Sequence, residues 1–177
     1  MAKPTLRKML GHADDPVINA LMRVIETQSK TTLVNWCIRY AQEYFLPIYE
    51  ETFPTDRRPR AALEASAGWL NKVLKPTDAK KIIREAAAAA KEAEDYPQAQ
   101  AAARAVSVAA SVISTPTGAL GMTFYGAAAI VYHRAGLLES PEVYDQLAEK
   151  EFSKMLASLQ KAAVPDEPDP VKINWNC

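Results

Sequence analysis

Thirteen of the chain's 31 alanines fall between Ala86 and Ala110. Alanine is the strongest helix former, and its short side chain lets neighbouring backbones come close. No stretch shows strand-length alternation of apolar and polar residues bounded by hairpin turns. The chain therefore reads as all-α. Its 177 residues fit one domain, long enough to bury a real core. A hydrophobic content of 49% excludes wholesale disorder.

Start and stop signals divide the chain into six or seven helices. Asp14-Asp15-Pro16 opens the first, with Ile18, Leu21, Met22 and Ile25 at helical spacing. Ser29 caps the second, which carries Leu33, Trp36, Cys37, Tyr40 and Tyr44 and is expected to kink or end near Leu46, before Pro47. The interruption TFPTDRRPRAAL precedes a third from about Arg58, with Leu63, Ala67, Leu70 and Leu74 on one seam. KPTDAKK starts a fourth, with Thr77 or Asp78 able to cap it and Ile82, Ile83, Ala86 and Ala90 facing inward. EDYPQAQ separates it from a fifth around Val106, Ala109 and Ile113. After a break a sixth carries Leu120, Phe124, Ala128, Val131 and Tyr132. It ends at Gly136, and Ser140-Pro141-Glu142 caps a seventh bearing Val143, Leu147, Phe152, Met155, Leu156 and Leu159. Short loops imply antiparallel neighbours in a bundle or stack. Residues 1–163 form the helical domain, and the proline-rich 164–177 an extended tail packed on it.

The break STPTGALGMTFYG, residues 114–126, admits two readings. Gly118, Gly121 and Gly126 do not fit a dinucleotide loop, which needs GxGxxG after a strand. Pro116 interrupts the helix, Thr115 or Thr117 caps its restart, and the glycines let the new helix approach a neighbour. The other reading is a small-ligand contact at Ser114, Thr115, Thr117 and Gly118, because a helix start exposes backbone N–H groups. The tail is likewise open: Trp175 either docks a C-terminal strap on the helical body or contacts a partner.

Chemistry-bearing patterns are sparse. Two histidines, His12 and His133, with no HExxH, CxxC or Glu-x-x-His, give no expected metal, cofactor or catalytic cluster. Ser29-Lys30-Thr31-Thr32 lacks the glycines of a phosphate loop. Lys plus Arg equals Asp plus Glu at 21 each, which argues against a nucleic-acid binder. Cys37 and Cys177 do not form a disulfide framework. The opening MAKPTLRKML lacks the apolar stretch of a signal peptide, and the longest nearly apolar run, 119–132, is shorter than the ~20 residues of a spanning helix. The expectation is a soluble cytoplasmic protein without a membrane partner.

The series MRVIETQSKTTLVNWCIRYAQEYFLPIYEE, DRRPRAALEASAGWL, AAAAKEAE, AQAAARAVSVAAS, GALGMTFYGAAAIVY and EPDPVKINW resembles the immunity proteins of bacterial toxin–immunity systems, in an immunity-five-like family. The resemblance runs through roughly residues 5–175, and its most specific pieces are DRRPRAAL with Trp69 and the closing KINW. It implies a protein that is not an enzyme and that neutralises a cognate toxin by direct binding. The partner surface is then expected among Arg57, Arg58, Arg60, the acidic side of the last helix and Trp175. The family's pattern has histidines around the helix break; Ser114 and Gly118 stand at the corresponding positions here, so no role is carried over to them. The alternatives are a small-ligand-binding helical bundle and a homo-oligomeric scaffold joined through an alanine-rich face.

Overall fold

The computed structural model describes residues 5–176; Met1–Pro4 and Cys177 lie outside the described residues. Within them the chain forms α1 (Pro16–Ile25), α2 (Lys30–Tyr40), a π-helical turn (Ala41–Phe45), α3 (Leu46–Thr52), α4 (Arg58–Leu70), α5 (Pro76–Glu92), α6 (Pro97–Ser111), α7 (Gly118–Ala135) and α8 (Pro141–Ala162). α2, the π turn and α3 are continuous, so seven helical rods stack with no strand among the described residues. No helix is long and apolar enough to cross a membrane among those residues.

Of the kink or end expected near Leu46, the end does not occur: the helix is distorted there and runs on. A proline removes one helical N–H and its ring crowds the carbonyl four residues back, here that of Glu43. The chain widens into one π turn just ahead of Pro47, Leu46 N–H reaches the carbonyl of Ala41, and the helix continues to Thr52. Caps divide similarly. Ser29 and Ser140 accept from the N–H groups of Thr32 and Val143, both at 3.3 Å. At α5 the cap position is Lys75, with Pro76 as the first helical residue, so Thr77 and Asp78 lie inside the first turn and do not cap it. Thr117 stands at the cap of α7 without a side-chain bond to it.

α6 is the central rod. Ala99, Ala101, Ala102, Ala103, Ala105, Val106, Ala109 and Ala110 are all buried, so it meets neighbours nearly all round, and α7 covers it most extensively. The glycines of the restarted helix set that approach. A Cβ on Gly118 would stand 3.1 Å from the carbonyl oxygen of Val108, and one on Gly126 would stand 2.2 Å from Phe45 Cζ. Side chains of ordinary size therefore fit at neither place without movement. Gly136 ends α7 at φ 81°, in the left-handed region. In α8 Phe152, Met155 and Leu159 are buried as their spacing predicts, and Tyr144 and Ala148 complete the face.

Candidate functional site

The DRRPRAAL segment folds into a charged knot at the start of α4. Asp56 accepts from Arg58 three times, from the backbone N–H at 3.0 Å, Nε at 3.0 Å and Nη2 at 2.8 Å, and from the Tyr49 hydroxyl at 2.6 Å. The Arg58 hydrogen bonds hold the Asp56 carboxyl down at about 2; burial opposes them and Tyr49 assists. Arg58 also reaches Glu92 at the end of α5 with both terminal nitrogens, at 2.6 and 3.2 Å. Arg60 grips Glu50 of α3 bidentately, at 2.8 and 2.6 Å. The two pairs tie α4 to α5 and to α3. Arg57, between them in sequence, is exposed and has no ion pair among the described residues.

The tail crosses the turn between α1 and α2. Gln28, 2% exposed, accepts from Val164 N–H through Oε1 at 2.8 Å and donates from Nε2 to the Val164 carbonyl at 3.2 Å, and its own carbonyl accepts from Val171 N–H. Glu167 accepts from Ser29 N–H at 3.2 Å and from the Thr32 hydroxyl at 2.7 Å, bonds that hold its carboxyl below the usual range against the opposing effect of burial. Trp175, half-buried, donates its indole N–H to Glu26. The acidic side of α8 is divided. Glu151 is buried and bound by Arg134 and Lys154 at 3.0 Å each, and Glu142 and Glu149 are exposed.

At the helix break Ser114, Thr115 and Thr117 are exposed, Ser114 donates its hydroxyl to the Ser111 carbonyl at 3.2 Å, and Gly118 packs on Val108. His133 contacts Glu51 at 2.7 Å. No group of three or more metal-ligating side chains converges among the described residues.

A cleft of about 350 Å³ lies elsewhere, between the N-terminal segment Leu6–Lys8, the turn from α5 into α6, and Leu137 and Leu138 after α7. Arg104 lines it from α6, with its Nε sealed from solvent and without an acceptor. Sequence reasoning passed over this residue, although a signal was present: between Asp95 and Arg134 the only Asp, Glu, Lys or Arg is Arg104. A lone charge in such a stretch must either reach the surface or find an opening.

These features define an all-α stack whose surface is organised by ion pairs and a strap. The chain belongs to the family described as "Imm-5 like putative immunity protein", whose sequence model matches residues 23–158. The matched span contains the charged knot and Arg104 and stops before the strap and its KINW. No curated protein and no solved structure matches the chain.

Proposed function

We propose that this protein neutralises a cognate bacterial toxin by direct protein–protein binding in the cytoplasm, through its shape and charge and without catalysis. Family membership over residues 23–158 is the observation that carries the reading. The arginine knot supports a location for the surface. Arg58 and Arg60 are fixed by bidentate pairs, and they hold the start of α4 so that the exposed Arg57 stands on a rigid platform. The ordered backbone under Arg57 limits what must be fixed on binding to its side chain, and its unpaired charge steers an acidic patch of a partner toward it. Trp175 lies on the other proposed contact, within a tail whose described residues, 164–176, strap the helical body.

The test is co-expression. The product of the neighbouring gene is produced in cells with and without this chain, and the two are co-purified. Growth arrest by the neighbour, relieved by this chain together with a stable complex, is the expected result. Arg57→Glu then weakens the complex by about tenfold or more without loss of folding. A neighbour that is harmless, or that does not bind, removes the proposal.

A further inference from the structure

We propose that the cleft on Arg104 is a binding site for a small apolar molecule bearing one carboxylate. The argument starts from the guanidinium. Arginine does not shed its charge by deprotonation; its Nε is sealed from solvent without an acceptor, and a guest in the cleft meets the half-buried guanidinium through its other nitrogens. Among the described residues no carboxylate lies within ion-pair distance of Arg104.

Three other polar side chains lining the cleft are already engaged. Tyr132 donates its hydroxyl to the Arg7 carbonyl at 2.6 Å, Arg7 pairs with Asp145 at 2.7 Å, and Gln100 donates to the Ala90 carbonyl at 2.9 Å. That leaves Arg104 as the unpaired cation inside and Lys8 as an exposed one near it. Leu6, Leu137 and Leu138 supply apolar wall.

Leu138 is 87% exposed, in a loop that is itself pinned. The Tyr144 hydroxyl donates to the Gly136 carbonyl at 2.8 Å and accepts from Glu139 N–H at 3.2 Å, so the backbone on either side of Leu137 and Leu138 is fixed. The volume is that of a small-ligand site, with apolar walls and one or two charges to orient the guest. Glu94 and Asp95 also line the cleft, both exposed. They oppose any anion, which Arg104 and Lys8 offset for one charge, and they oppose a diacid, with two charges, more than a monoacid of the same length.

Octanoate, octanamide and octanedioate are titrated separately into the full-length protein by calorimetry, with thermal denaturation as a check on folding. Octanoate binds and raises the melting temperature. Octanamide, without the charge, and octanedioate, with a second one, each bind about tenfold more weakly or worse. Arg104→Met reduces octanoate affinity by a similar factor. Because Arg104 is partly interior, Leu138→Asp is the second variant: its side chain is on the surface, so the protein folds normally, and octanoate affinity falls. Equal binding of octanoate and octanamide overturns the proposal, as does absence of binding at millimolar octanoate, or unchanged affinity in Leu138→Asp. N-acetyl-Leu-Leu with a free C-terminal carboxylate is the last arm. If it binds while octanoate does not, the cleft takes the end of a polypeptide and the small-molecule assignment is wrong. None of these readouts depends on a toxin.

Discussion

Replacing Asp56 by alanine tests the account of the charged knot. The variant deletes the acceptor of three Arg58 bonds and of the Tyr49 hydroxyl. Tyr49 is almost wholly buried, and leaving its donor unmatched costs about 1–3 kcal/mol. Arg58 is about a third exposed and keeps Glu92, so its share of the loss is discounted to roughly 1 kcal/mol by solvent screening. The sum is about 2–4 kcal/mol at neutral pH, a fall of some ~5–15 °C in melting temperature for a chain of this size.

The pH dependence has a definite sign. The folded carboxyl titrates at about 2, below its ordinary 3.8. Its stabilisation is therefore complete above the ordinary value and disappears as pH falls from there toward 2. The gap between the wild type and Asp56→Ala, measured by urea unfolding, narrows by about 2 kcal/mol between pH 5 and pH 2. A gap below about 1 kcal/mol at pH 7, or one that does not change with pH, would refute the reasoning. Asp56→Asn, which keeps the shape and loses the charge, gives a smaller loss at neutral pH, and its gap to the wild type narrows over the same range, because the titrating carboxyl belongs to the wild type.

Other outcomes follow from single contacts. Gly126→Ala places a Cβ against the fully buried Phe45 ring and destabilises by about 1–3 kcal/mol in chemical denaturation, although alanine is the better helix former. Gly136→Ala meets no atom within 4 Å yet loses about 1 kcal/mol, because its φ of 81° disfavours any Cβ. Glu167→Ala frees the Ser29 N–H and the Thr32 hydroxyl, and hydrogen exchange at Val164 and Val171 accelerates while the amides of α6 stay protected.

The all-α class, the seven rods and most of their boundaries were legible from local rules. Proline and serine at helix starts, Gly136 at a helix end and the alanine run all act through the backbone of their own segment. At Pro47 local rules marked a kink or an end without choosing between them, and the structure carries the helix through a π turn. Packing decided that outcome: Phe45 and Leu46 are buried at the C-terminal end of the wider turn, and Phe45 lies against Gly126, more than eighty residues away. The arginines of DRRPR were visible as a cluster, but not that two of them are held by Glu50, Asp56 and Glu92, because only the fold brings those carboxylates together. The same holds for the Arg104 cleft. Its walls come from the N-terminal segment, the α5–α6 turn and the loop after α7, three places whose proximity no spacing rule encodes. The sequence by itself determined the helices and most of their ends, since propensity and capping are short-range. Tertiary structure alone decided which charges are paired and which is left open, since a charge is satisfied by whatever the fold sets beside it.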